Sequence, residues 1–286
     1  MKLWLLSWNV RGANNWDRRK VIKALIKKNM VDLVCLQETK IQEMSRGIIR
    51  SLGVGRFLEW GAVDSRGAAG GIVVFWDNMV VDLVDLQKGM FSISCIFKNC
   101  EDGFMCTFTR VYSPTVRRDR ESFWAIKGLW NGPWCVAGDF NSILSPEERS
   151  RGGSLNSNMR RFSEVIEDLE LKDLPLVGGL FTWNGGVNSQ SFSRPDRFLV
   201  NEGWDCHFGD ARQCVLLRPV FDHFPLLLDG GGLRIDPSPF RFENMWLKVE
   251  GFKDILKSWW EGDNFSGPSS FILAKKLKVL KSKLKE

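Results

Sequence analysis

Eight polar residues stand at the ends of apolar stretches or interrupt them: Asn9 in "SWNVRG", Glu38 in "LQETK", Tyr112 in "RVYSP", Asp139 and Asn141 in "AGDFN", Asp196 in "SRPDRFLV", and Asp222 with His223 in "FDHFP". Apolar neighbours put such groups at the edge of a core, where a carboxylate is costly unless it is paired or holds a cation. Singly, each fits a cap, a turn or a satisfied structural residue. As a set they form the inventory of divalent-metal phosphodiester chemistry. Hard oxygen ligands hold Mg2+, which keeps several waters and uses one or two carboxylates plus substrate phosphate. Amides orient phosphate oxygens, and a His–Asp pair acts at the attacked phosphorus.

Two of the eight are sharpened by composition. Tyr112 is the single tyrosine in a chain with 20 phenylalanines and 13 tryptophans. A position needing only an aromatic surface is served by those, which points to use of its hydroxyl; the alternative is chance. His223 is one of two histidines. Asp222 beside it is poorly placed to orient the ring, because strand neighbours face opposite sides. The orienting carboxylate must then come from elsewhere, and Asp196 is the candidate.

The elements that must position these groups follow from hydrophobic period. "KLWLLSWNV" reads as a buried strand ending near Asn9, and "VDLVCLQET" as another ending at Glu38. Between them "DRRKVIKALIKKNM" is an amphipathic helix with Val21, Leu25 and Ile26 on one face and a basic exterior. This β-α-β opening sets Asn9 and Glu38 at C-terminal strand ends, where α/β folds build sites. Residues 57–113 read as a meander of mostly antiparallel strands. "RRDRESFWAIKGLW" and "NMRRFSEVIEDLE" read as helices, with the strand "PWCVAGDFN" between them. Strands interleaved with helices, without a single repeated βα unit, predict two sheets packed face to face with helices outside. Past residue 229, "DGGGLRIDPSPFRF" has linker composition. The final "FILAKKLKVLKSKLKE" sets Leu273, Leu277, Leu280 and Leu284 on a helical stripe among lysines, a solvated helix or a basic spacer.

The 286 residues suit one large α/β domain, alone or with an extension, and 44% apolar content supports a sizeable core. A net charge of +6 favours an anionic partner such as nucleic acid. The seven cysteines are scattered, with no CxxC pair, as expected of reduced thiols inside a cell. Cys206–His207 lacks a second ligand pair at zinc spacing. No signal peptide or membrane span is read, so a soluble intracellular protein is expected.

Eight motifs in order, "SWNVRG", "LQETK", "GGIVVFW", "VYSP", "VAGDFN", "FTWNGG", "SRPDRFLV" and "DHFP", make residues 1–229 resemble the endonuclease/exonuclease/phosphatase superfamily. Within it the resemblance is nearest to the endonuclease domain of plant non-LTR (LINE-type) retrotransposon polyproteins. It implies an α/β four-layered αββα sandwich of DNase-I-like type, and a Mg2+-dependent enzyme (Mn2+ as the substitute) that nicks double-stranded DNA. Glu38 is then the principal metal ligand, with Asn9 beside the metal and Asp222 in its shell. Tyr112 contacts the scissile phosphate and Asn141 orients it. Asp139 activates water or protonates the leaving oxygen, and His223, held by Asp196, meets the phosphate. Basic stretches at 18–28, 110–120 and 149–161 are expected to grip DNA, with Arg11, Arg18, Arg19, Arg117, Arg118, Arg151, Thr182 and Trp183 as contacts. A monomer in the nucleus is implied, and residues 230–286 become a linker and basic helical tail that in such elements leads to a reverse transcriptase.

Three positions depart from the family pattern. Arg11 stands where apurinic endonucleases carry a metal-proximal aspartate. Pro195 replaces a leucine or isoleucine before Asp196 and removes a backbone donor from an expected strand. Phe221 replaces a small serine before Asp222. The last two flank the expected Asp196–His223 pair and predict a misaligned site. Two other functions therefore stand beside the nuclease: an impaired nucleic-acid-binding remnant, and a phosphatase or phosphodiesterase for a small or lipid substrate.

Overall fold

Strand β1 (Trp4–Asn9) shows why the protein is layered. Five of its six residues are buried, yet Leu5 joins one apolar cluster while Leu6 and Trp8 join another. Successive side chains face opposite sides of a strand, so a strand buried throughout must be covered on both faces.

The computed structural model describes residues 3–55, 58–65, 70–89, 92–112, 132–185, 191–218, 221–230, 247–262 and 264–284. The chain divides into two compact units, Met1–Leu233 and Arg234–Glu286. After β1 the first unit runs through α1 (Trp16–Asn29), β2 (Leu33–Gln37), α2 (Arg46–Leu52), β3 (Leu58–Val63), β4 (Ile72–Asp77), β5 (Val81–Lys88), β6 (Ser92–Asn99), β7 (Met105–Tyr112) and β8 (Trp134–Asp139). A short 3-10 turn (Pro146–Glu148) precedes α3 (Ser157–Asp168), β9 (Lys172–Asp173), β10 (Leu176–Val177), β11 (Trp183–Gly185) and β12 (Ser191–Ser193). The unit closes with β13 (Asp196–Val200), α4 (Glu202–Phe208), β14 (Arg212–Val215) and β15 (Leu226–Asp229).

Among the described residues, seven strands form a mixed sheet in the order β10-β14-β15-β1-β2-β4-β3 and six form another in the order β5-β6-β7-β8-β13-β9. β1 and β2 pair in parallel at the centre of the first, as do β7 and β8 in the second. Between the sheets lie Leu5, Leu33, Cys35, Val74 and Trp76 from one side and Ile93, Cys95, Phe97, Phe108 and Phe198 from the other. Outside the first sheet, Trp8, Val34 and Phe75 meet Ile22 and Ile26 of α1 and Ile49 and Leu52 of α2. Outside the second, Val111, Trp134, Val136 and Leu199 meet Phe162 of α3. The order of layers is helix, sheet, sheet, helix, as the sequence implies.

Three details differ from the sequence reading. The face of α1 that is buried centres on Ile22 and Ile26, with Leu25 at its margin. The expected meander splits between the sheets: β3 and β4 pair in the first, β5 to β7 in the second. Alternation reports which residues face a core but not which sheet owns the strand. The helix expected over residues 117–130 lies outside the described residues. The buried thiols behave as small hydrophobes, and burial pushes the Cys35 thiol up to about 12.

The second unit holds α5 (Phe252–Gly262) and α6 (Ser269–Lys283). Lys276 Nζ lies 5.4 Å from the Trp260 ring centroid and donates to the Trp260 carbonyl at 2.6 Å, tying the two helices. No helix among the described residues is long and apolar enough to cross a membrane.

Candidate active site

The parallel pair at the centre of each sheet delivers polar residues to one edge. Asn9 ends β1, Glu38 follows the last residue of β2, and Asp139 ends β8. Asp196 begins β13 directly opposite Asp139 in the antiparallel register. Asn9 bridges the two sheets: its Nδ2 donates to Glu38 Oε1 at 3.1 Å and to Asp139 Oδ2 at 3.2 Å. A second bridge lies beneath it. Arg110, fully buried on β7, hydrogen-bonds Ser7 Oγ and Gln37 Oε1, and Gln37 Oε1 also accepts from the Asp139 amide at 3.3 Å. Burial pulls the Arg110 pKa down, while the charges of Asp196 and Asp139 oppose that. Four non-glycine residues here hold left-handed backbone: Arg11 (φ 41°), Glu38 (φ 52°), Lys40 (φ 56°) and Asn141 (φ 47°). Such strain concentrates where side-chain direction matters more than local energy.

His223 lies at the junction. Its Nδ1 is 2.8 Å from Asp196 Oδ2, and its Nε2 is 3.8 Å from Asp139 Oδ2. Asp196 holds the ring, and further contacts hold Asp196 and the His223 backbone. Thr182 Oγ1 donates to Asp196 Oδ2 and accepts from the Asp196 amide, both at 3.0 Å. Trp8 Nε1 donates to the His223 carbonyl at 3.0 Å, and Trp183 forms an isolated β-bridge with His223. Burial would push the His223 ring down. Against it, Asp196 by charge and hydrogen bond, then Asp139 and Asp222 by charge, raise the ring to about 9. Burial, and then the Asp196 charge, push the Asp139 carboxyl up to about 6, against His223 and hydrogen bonds from Asn141 and Asn9. The charges of the pair support each other: Asp139 favours the His223 imidazolium, and His223 favours the Asp139 carboxylate.

Asp222, in the bend before His223, engages other partners. Its Oδ2 is 2.9 Å from Arg11 Nη1 and accepts from Trp183 Nε1 at 3.3 Å. Arg11 Nε is 4.0 Å from Glu38 Oε2, so a guanidinium stands between the Glu38 and Asp222 carboxylates. Asn141 donates its amide to Asp139 Oδ1 at 2.9 Å and lines a cleft of about 400 Å3 with Arg11, Arg149, Trp183, Pro195 and His223. A second cleft of about 480 Å3 is lined by Arg11, Asn14, Asn15, Arg18 and Lys40. The strand register sets Tyr112 beside Asp139; its side chain lies outside the described residues.

The structure thus brings Asn9, Glu38, Asp139, Asn141, Asp196, Asp222 and His223 together with Arg11 and Trp183. Several expectations need correction. Thr182 is fully buried, with its hydroxyl committed to Asp196, so it positions that carboxylate instead of touching nucleic acid. Arg110 belongs to the inter-sheet interior and not to a basic surface. Pro195 precedes β13, so it removes no ladder donor, and its carbonyl accepts from Phe140 N at 3.0 Å. Phe221 is buried and packs edge-on against Trp8 at 5.1 Å, with Arg18 5.2 Å from its ring. Neither residue misaligns the Asp196–His223 pair. Arg18 and Arg19 donate to carbonyls of residues 11–14, which fixes the loop after β1. Arg151 is exposed, and Arg117 and Arg118 lie outside the described residues. Gln37 and Lys40 were not foreseen, whereas Arg149 falls in the basic stretch 149–161 expected to meet DNA. For Lys40 the available signal was its place two residues beyond Glu38 in "LQETK".

A family model described as the endonuclease/exonuclease/phosphatase family matches residues 6–212. The chain belongs to this family. Members of the endonuclease/exonuclease/phosphatase family are hydrolases and generally use a divalent metal. Among solved structures, an AP endonuclease from Leishmania major superposes with a TM-score of 0.60 at 14% identity, covering 79% of this chain and 87% of the other. The mannosyl-6-phosphatase of Bacteroides thetaiotaomicron VPI-5482 gives 0.56 at 17% identity, covering 79% and 98%. The endonuclease domain of TRAS1, a telomere-specific non-LTR retrotransposon, gives 0.57 at 12% identity, covering 79% and 97%. These likenesses establish the shared fold.

Two groups of side chains offer donors to the metal this family uses. Asp139, Asp196 and His223 place ligand atoms within 4.8 Å of one another, but all three are buried and His223 Nδ1 is engaged by Asp196. Glu38 and Asp222 are partly open, their side chains 17% and 24% exposed, and offer only oxygen. A hydrated Mg2+ needs oxygen donors and room for its waters, and the Arg11 guanidinium marks the place between these carboxylates as one that accepts a cation. The Glu38–Asp222 pair is the better fit.

Proposed function

We infer that the chain is a divalent-metal-dependent endonuclease that nicks double-stranded DNA, of the kind encoded by LINE-type retroelements. The observation that carries this reading is that cationic side chains flank the reacting centre. The two clefts share Arg11, with Arg18 and Lys40 along one and Arg149 along the other. A small phosphate ester needs one cradle, whereas a nucleic acid strand needs cations along a track.

In this reading the scissile phosphate sits above Asp139 and His223. The Asp139 carboxylate takes the proton from the attacking water as the new P–O bond forms, and the His223 imidazolium donates to a phosphoryl oxygen as charge builds there. The P–O bond to the leaving strand breaks, and its departing oxygen takes a proton from solvent. Asp196 holds the imidazolium charged and oriented, and Thr182 holds Asp196. Asn141 steers a second phosphoryl oxygen from the cleft wall. Glu38 and Asp222, with Asn9 beside them, would hold Mg2+ or Mn2+, which supplies Lewis-acid stabilisation of the developing charge.

The test is conversion of supercoiled plasmid to open circle with Mg2+, with EDTA, and with Glu38→Gln. Metal-dependent nicking lost in Glu38→Gln supports the reading. Plasmid binding without cutting indicates a nucleic-acid-binding remnant. Release of phosphate from small phosphomonoesters without nicking indicates a phosphatase, the activity named for the Bacteroides neighbour.

A further inference from the structure

Arg11 is unusually constrained for a half-exposed arginine. Its backbone is left-handed, its amide donates to Asn9 Oδ1 at 3.2 Å, and its carbonyl accepts from Arg18 Nη1 at 3.0 Å. From that fixed base the side chain reaches across the mouth of the site. Its Nη1 lies 2.9 Å from Asp222 Oδ2 and its Nε 4.0 Å from Glu38 Oε2. The two carboxylates come from distant parts of the chain, and like charges brought together at this depth need a counter-cation. The guanidinium supplies it.

The same carboxylates are the ones to which the proposed function assigns the divalent ion, and the inference rests on that assignment. A guanidinium and a hydrated divalent cation repel each other and compete for the same lone pairs, so one place does not hold both. We propose that Arg11 is the resident cation of the Glu38–Asp222 pair in the metal-free protein, and that a divalent ion binds by displacing it. The displaced side chain has a destination, because Arg11 already borders the cleft of Asn14, Asn15, Arg18 and Lys40. There it adds a positive charge to the path proposed for the DNA backbone. Metal and DNA binding are then coupled, and by linkage each favours the other.

The experiment is Mn2+ titration of metal-stripped protein, following the free-ion signal by electron paramagnetic resonance, with Mg2+ as competitor. Parent, Arg11→Gln, Arg11→Met and Glu38→Gln are compared, and near-native melting is required of each. Removing the competing cation should tighten Mn2+ binding roughly three- to tenfold in both Arg11 variants, the scale of a partly exposed ion pair plus relief of charge repulsion. Glu38→Gln should lose the site. Unchanged or weaker Mn2+ binding in both Arg11 variants, with Glu38→Gln still losing it, overturns the resident-cation role and leaves the metal assignment standing. Parent-like Mn2+ binding by Glu38→Gln overturns the metal assignment, and this inference with it.

Discussion

His223 should hold its proton well into the alkaline range, and Asp196 should be the reason. The ring is buried, which disfavours the imidazolium, yet Asp196 Oδ2 at 2.8 Å and Asp139 Oδ2 at 3.8 Å reverse the outcome. Moving from 6.5 to about 9 corresponds to roughly 3 kcal/mol in favour of the charged ring. Asp196→Asn removes the largest favourable contribution and leaves the burial, so the midpoint should fall by about two pH units or more. The Asp139 carboxyl, raised partly by the Asp196 charge, should move down with it. The chain has only two histidines, so imidazole-labelled protein gives two ring signals, with His207 as internal control and His223→Ala as the assignment. Titration is done in metal-free protein, because a bound cation would lower both groups. A parent midpoint at or below 6.5, or a midpoint untouched by Asp196→Asn, would refute the electrostatic reasoning. The same shift carries a stability consequence. The folded pKa of His223 lies above its unfolded value, so its contribution is fully present below about pH 6.5 and is lost as pH rises through about 9. Urea melts of parent against Asp196→Asn should therefore converge across that window.

Three further outcomes are expected. With Asp139 required as carboxylate and His223 as imidazolium, the nicking rate should rise through about 6 and fall through about 9, each limb lying lower in saturating Mg2+; a flat profile from pH 4 to 10 would remove both from the proton chemistry. Phe221→Ser should destabilise the fold by about 3–5 kcal/mol, the scale for truncating a buried phenylalanine, and should not speed nicking; a chemical-denaturation loss below about 1 kcal/mol would return Phe221 to the role of a crowding defect. Gly138→Ala would place a Cβ 2.4 Å from the Val111 carbonyl oxygen, so β7 and β8 must part just before Tyr112 and Asp139. It should cost about 1–3 kcal/mol and reduce nicking at least about tenfold, whereas parent-like kinetics would show the strand pair to be slack.

Part of the site was legible because it depends on local rules: Asn9 and Glu38 stand where apolar strand patterns stop. Asp222 and His223 do diverge as expected, but through a bend at Asp222 and an isolated bridge at His223, not through the alternation of a strand. What escaped depends on contacts between distant residues. Phe221 reads as a misplaced bulky residue until Trp8, far away in the chain, is found against it. Thr182 reads as a DNA contact, but its hydroxyl is taken by Asp196, which arrives at the start of β13. Arg110 stands near other arginines and reads as surface, whereas the opposed sheet supplies Ser7 and Gln37 to bury it.

Asn9 and Glu38 belong to one sheet and Asp139 and Asp196 to the other, and the Asn9 amide joins the two carboxylates Glu38 and Asp139 across the gap. The reacting centre therefore works as a gauge of the sandwich's thickness. Trimming Phe97 or Phe108, packed between the sheets well away from the cleft, changes the spacing on which that amide depends. Drift in such a protein would appear first as slowed turnover at ordinary temperature and only later as a lowered melting point. Screens for tolerated core changes that score folding alone would pass variants whose two halves no longer meet.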